Sequence, residues 1–167
     1  MMPEQPSFRR FYSHKFKRAG YRYEVALCIQ TGEIVWINGP FPCGAFSDLT
    51  IFRKALKQKL LQAKEKAIAD LGYRGEPNTI ILPNPMDSKM IQQMKSEVRA
   101  RHEHVNKRFK NFGILKQCFR HDLEKHEAVF TACAVLSQIS ISCGEPLAEV
   151  QYGKLPFCLQ KRSSNFA

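Results

Sequence analysis

The stretch from Asp87 to about Asn111 constrains this chain more than any other. Ile91, Met94, Val98, Val105 and Phe109 recur three, four or seven residues apart, which draws one apolar stripe down a long helix and commits that face to a core. Asp87 stands where an N-cap is wanted, and Gly113 where a helix closes. At about 100° per residue, Arg99, Glu103, Asn106 and Lys110 share a polar stripe beside the apolar one, at the boundary between core and solvent. A carboxylate, an amide and two cations there suit a metal and phosphate site. A solvated face with an Arg99 to Glu103 ion pair, worth a few tenths of a kcal/mol, explains the same pattern, and charge patterning alone favours it.

The other elements have local signatures. The run from Tyr21 to Ile29 is rich in β-formers, and Thr31-Gly32 separates it from Ile34 to Ile37, which predicts a hairpin. The segment NGPFPCGAF, with two Gly and two Pro, is expected to break regular structure. Ser47 can then cap a helix carrying Leu49, Phe52, Leu56 and Leu60 at helical spacing, with Arg53, Lys54, Lys57 and Lys59 on its other faces. Lys66 to Ala69 is a short buried strand that delivers Asp70 into a loop at its carboxyl end, where α/β proteins tend to keep chemistry. A last helix from about Leu123 to Ser142, ending at Gly144, is apolar almost all round and is expected to pack on both sides.

One domain accommodates all of this, since 167 residues and 19.2 kDa suffice to bury about 70% of the unfolded surface. Residues 1–158 are assigned to it and 159–167 to a disordered tail. The 26 Lys and Arg against 15 Asp and Glu give +11, while 44% hydrophobic residues are too many for a disordered basic arm. Such a globule attracts polyanions, because phosphate neutralisation releases counterions. No apolar run reaches 18 residues and no apolar signal core follows Met1, so a soluble chain without membrane partners is expected. The six Cys show no CxxC pair and several lie in apolar segments, the usage of reduced, buried thiols in an intracellular compartment.

Only four Asp residues exist. Asp87 and Asp122 suit helix caps, and Asp48 suits a first-turn carboxylate facing the helix dipole. Asp70 closes an apolar strand, so either an Asx turn before Gly72 satisfies it or a cation does. His102 and His104 point about 200° apart on a helix and cannot share one metal. Zinc on Cys118, His121 and His126 is conceivable, but structural or phosphate-contacting roles outweigh it. Cys43 has no base tied to it and is treated as structural. Tyr12, Lys15, Lys17, Arg18 and Arg22 interleave aromatic and basic groups as nucleic-acid channels do, or form a solvated basic surface.

Five segments together resemble a known family: YSHKF (Tyr12 to Phe16), RYEVALCIQTGEIVWINGPFPCG (Arg22 to Gly44), DLTIF (Asp48 to Phe52), ADLGYRG (Ala69 to Gly75) and VRARHEHVNKRFKNF (Val98 to Phe112). They are similar to the catalytic domain of DDE superfamily endonucleases, above all to transposases of the Harbinger type and related insertion-sequence transposases. The resemblance covers nearly the whole chain and implies a ribonuclease H-like α/β fold, a mixed sheet flanked by helices. It also implies three carboxylates holding two divalent ions, Mg²⁺ or Mn²⁺, about 3.5–4 Å apart for in-line displacement at phosphorus. The second acid then falls on Asp70 and the third on Glu103, with Arg99, Asn106 and Lys110 orienting Glu103 or the scissile phosphate. Lys15 and Lys17 are assigned to DNA contact.

The first acid of the family has no counterpart, since no Asp precedes Asp48. Its strand would lie between the hairpin and the strand ending at Asp70, so a gap is expected in the sheet, to be filled by another segment or chain. A truncated transposase is the favoured explanation, ahead of a domesticated derivative that keeps DNA affinity without cleavage. Impaired cleavage follows, together with DNA as partner, a separate DNA-reading protein or self-association, and residence in the nucleus of a eukaryotic host or otherwise the cytoplasm.

Overall fold

The structure is a computed structural model that describes residues 6–15 and 17–148, with side chains from Arg9 onward. The proposed tail at 159–167 lies outside the described residues. In chain order the elements are α1 (Pro6–Phe11), β1 (Tyr12–Ser13), β2 (Arg18–Ala19), β3 (Tyr21–Leu27), β4 (Ile34–Pro42), α2 (Asp48–Lys54), α3 (Leu56–Ala63) and β5 (Ala67–Ile68). There follow β6 (Ile80–Ile81), α4 (Lys89–Asn111), α5 (Gly113–Lys116) and α6 (His126–Ser142). Among these no helix is long and apolar enough to cross a membrane.

The hairpin forms where β-propensity predicts it, and it runs further. β4 continues antiparallel to β3 through Pro42, pairing Arg22 with Phe41 and Tyr21 with Pro42. The NGPFP part of NGPFPCGAF therefore extends a strand, and the expected break comes only from Cys43 to Ala45, which turn. Gly39 allows the extension, because it holds φ +144° against the Tyr23 ring, where a Cβ would have no room, beside an irregularity between Arg22 and Glu24.

Helices α4 and α6 cover one face of this hairpin. Val105, Phe109, Phe130, Ala134, Ile141 and Leu147 form the buried cluster, with Tyr23, Val25, Leu27, Ile34 and Ile37 against it. Tyr23 and Phe130 stack with ring centroids 3.7 Å apart, and Gln138 Oε1 accepts from Ile34 N at 2.7 Å. The long amphipathic helix thus buries the stripe its sequence marks, but its ends differ from expectation. Ser88 caps it, accepting from Ile91 N, while Asp87 turns inward to Lys95 Nζ at 2.6 Å. Lys95 is 7% exposed, and a buried ammonium outbids a cap for the nearest carboxylate. Phe112 closes the helix, and Gly113 opens α5.

The helix after Ser47 is capped as predicted, with Ser47 Oγ accepting from Thr50 N, and it breaks at Ala55 into α2 and α3. Ile51 and Phe52 are its buried residues. Buried Glu76 ties α2 and α3 to the loop before β6, since Arg53 Nε at 2.6 Å and Lys57 Nζ at 2.8 Å both hold its carboxylate. Those cations, Lys57 first, keep that carboxyl below its ordinary range.

The β-strands form three separate two-stranded sheets: β1 with β2, β3 with β4, and parallel β5 with β6. The fold is α/β, and among the described residues no ladder joins the hairpin to the parallel pair.

Candidate functional site

Asp70 leaves the carboxyl end of β5, where Ala67 and Ile68 pair with Ile80 and Ile81 and Ala69 N donates to Ile81 O at 3.2 Å. Its Oδ1 accepts from Gly72 N at 2.9 Å, capping the 3-10 turn Leu71–Tyr73, while the side chain stays exposed. The Asx turn is therefore formed and uses one oxygen, and Oδ2 remains for another partner.

The same end of the parallel pair carries a cleft of about 320 Å³ between the 83–87 loop and α4. Pro83, Asn84, Gln92 and Arg99 line it, and Lys95 holds its floor by donating to Leu82 O at 2.7 Å. Arg99 and Asp70 thus stand at one end of the β5–β6 pair. Glu103 lies one helical turn beyond Arg99, exposed, and no Arg99 to Glu103 ion pair forms among the described residues. Asn106 is engaged elsewhere: its Nδ2 lies 3.3 Å from His102 Nδ1, and His102 Nε2 lies 3.1 Å from Val25 O. An Nε2–H tautomer satisfies both contacts, so the amide orients His102 and through it the seat of α4 on β3. Lys110 is exposed near the end of α4.

A residue absent from the sequence expectations stands within β3, the opening strand of the hairpin. Glu24 is 6% exposed, its Oε2 accepts from Trp36 Nε1 at 2.9 Å, and its Oε1 has no partner. Burial pushes this carboxyl above its ordinary range and the charge of Asp48 adds to the push, against hydrogen bonds from Trp36 and Asn38. Helix α2 ties Glu24's surroundings to those of Asp70. Its first residue, Asp48, pairs with Arg22 at 3.1 Å, and Phe52, one turn on, meets the Tyr73 ring edge-on at 5.7 Å. Tyr73 is pushed far up by burial first, then by Asp48, Glu24 and Asp70, so its phenol keeps its proton in the field of three carboxylates. A lone Glu among the aromatic and apolar residues of YRYEVAL was the available signal.

The basic opening divides. Lys15 and Lys17 are exposed in the turn between β1 and β2, with Lys17 at φ 51°. Arg22 is drawn out of that surface, half-buried against Asp48 and donating to Phe46 O at 3.0 Å. Helix α1, just before that turn, is pinned to the loop after β4 at Gly44, whose N donates to Arg10 O at 3.0 Å. His126 belongs to the aromatic core, with Nδ1 2.8 Å from Tyr23 OH.

Hard carboxylate oxygens at Asp70 and Glu103 are the right donors for Mg²⁺ or Mn²⁺. Among the described residues, however, no three His, Cys, Asp or Glu side chains are gathered closely enough to hold an ion. The two acids fit such an ion in kind, but no hydrogen bond, ion pair or shared pocket links Asp70 to Glu103 among the described residues. No curated protein and no solved structure matches the chain. The model of one family, DDE superfamily endonuclease, matches residues 2–138, which takes in the hairpin, Asp70 and all of α4. With most of its length so matched, the chain belongs to the DDE superfamily endonucleases.

Proposed function

We propose that the chain is a transposase-derived, Harbinger-type endonuclease module that binds DNA through its basic surface and acts on phosphodiesters with Mg²⁺ or Mn²⁺ at Asp70 and Glu103. The observation that carries this reading is the family match, whose span contains both acids. A divalent ion there would supply Lewis-acid polarisation of the phosphoryl group. Arg99, in the cleft at the Asp70 end of the parallel pair, suits a phosphate oxygen, while Lys110, Lys15 and Lys17 add long-range attraction within a net charge of +11. DNA is the proposed partner, the nucleus the proposed location in a eukaryotic host and the cytoplasm otherwise. With two acids for two ions, cleavage by this chain is expected to be weak.

Plasmid nicking in Mg²⁺ or Mn²⁺ tests the reading. Slow nicking abolished by Asp70→Ala and by Glu103→Ala, with DNA binding retained in both, supports it. A second reading, an inactive DNA-binding or protein-interaction module, is favoured by the incomplete ligand set. It predicts no nicking but salt-dependent binding, with log affinity falling by about 0.9 per phosphate contact per decade of salt. A chain that neither nicks nor binds DNA overturns both.

A further inference from the structure

The loop between β6 and α4 is braced throughout and tipped by an apolar side chain. Met86 is 89% exposed, the most exposed large apolar residue among those described. Its neighbours leave it little freedom. Pro83 and Pro85 fix their own φ, Asn84 Oδ1 accepts from Met86 N at 3.0 Å, and Asp87 N donates to Asn84 O at 3.1 Å. From α4, Gln92 Nε2 donates to Pro85 O at 3.0 Å and to Asp87 O at 2.7 Å. A single exposed methionine is ordinary, but one held out by this many bonds is a fixed projection. The same loop makes one wall of the 320 Å³ cleft with Pro83, Asn84 and Pro85, and Gln92, Ser96 and Arg99, four and three residues apart along one side of α4, make the other.

We propose, resting on the DNA-binding reading above, that Met86 wedges into the base stack of the DNA and that the cleft receives one extruded nucleobase. The lining distinguishes a base from a bare phosphate. On the floor the Lys95 ammonium is already engaged by Asp87 Oδ2 and Leu82 O, so the floor is neutral and holds no charge for an anion. The walls are uncharged as well, apart from Arg99. The two prolines give apolar surface for a ring to lie against. Asn84, whose Oδ1 is committed to the loop, keeps Nδ2 to donate, and Gln92, whose Nε2 is committed, keeps Oε1 to accept. Donor, acceptor and apolar wall are what a flipped base needs, because both its hydrogen-bonding edge and its faces must be satisfied away from the stack. At about 320 Å³ the cleft is at the small end of ligand sites, about 300–1,000 Å³, which suits one base rather than a strand. Arg99 is left for the phosphate that follows the base. Unstacking a step costs a few kcal/mol, and methionine is among the apolar side chains that insert at such steps. The cleft lies at the Asp70 end of the parallel pair, so the distorted step and the acid share one end of the sheet.

A short duplex with a 2-aminopurine·cytosine mismatch at its centre tests this with the full chain and without divalent ions, so that cleavage plays no part. Anisotropy of an end label follows binding. The emission of 2-aminopurine, which brightens when the base leaves the stack, follows extrusion, and no aromatic residue lines the cleft to quench it. At saturation the wild type is expected to raise that emission above the free duplex's. Met86→Ala removes the wedge and Ser96→Leu fills the cleft. Each should abolish the rise while affinity for the duplex stays within about tenfold, and Met86→Leu should keep the rise. Both positions are exposed, so the core is undisturbed in every variant. Duplex bound by the wild type with no rise, or a rise kept in either Met86→Ala or Ser96→Leu, overturns the proposal and leaves the DNA-binding reading standing. A wild type that binds no duplex overturns both.

Discussion

Replacing Glu24 with Gln removes a charge while keeping an acceptor for Trp36. The residue is 6% exposed, Oε2 takes the indole N–H at 2.9 Å and Oε1 has no partner. A buried polar atom left unpaired costs about 1–3 kcal/mol, more when charged. Burial raises the folded-state pKa of this carboxyl above the unfolded value. Its contribution is then fully present below the unfolded pKa of about 4.3 and is lost as pH rises through the folded value. Glu24→Gln should therefore stabilise the protein by about 1 kcal/mol at pH 7, less than the full penalty because the new amide N–H₂ inherits the unpaired position. Near pH 4 the variant and wild type should coincide. Urea unfolding from pH 4 to pH 8, followed by the fluorescence of Trp36, the only tryptophan, measures the difference at the residue concerned. A difference constant across that range, or a variant less stable at neutral pH, would refute the reasoning.

Asp87→Ala strands the buried Lys95 ammonium and should cost about 3–5 kcal/mol by thermal unfolding, whereas Asp87→Ala with Lys95→Met should recover most of that loss. Phe130→Ala removes the ring stacked on Tyr23 and should cost about 3–5 kcal/mol in urea melts, with a cost under about 1 kcal/mol telling against the shared α4–α6 core. Gly44→Ala presses a methyl onto the Arg9 and Tyr12 carbonyls, and should release the N-terminal segment to tryptic cleavage at Arg9 and Arg10 while the melting of the core stays put.

Periodicity and capping chemistry, both local, made much of the chain legible from residues alone. The stripe of α4, the Ser47 cap and the hairpin each follow from side chains a few positions apart. Asp70 was legible as an acid closing a strand, and its turn to Gly72 was one of the two outcomes its sequence allowed. Competition between distant groups was not legible. Asp87 abandons its helix N-terminus for Lys95, Asn106 goes to His102, and Arg22 leaves the basic surface for Asp48. Glu24 escaped notice because nothing near it in sequence tells that both sides of its strand are covered. That Val135, Leu136 and Ile139 of α6 stay exposed, against the expectation of packing on both sides, likewise depends on how many neighbours tertiary packing supplies. Local pattern determines which face of an element seeks cover; only the assembled chain decides which faces and which buried charges find it, because that depends on groups that meet across many intervening residues.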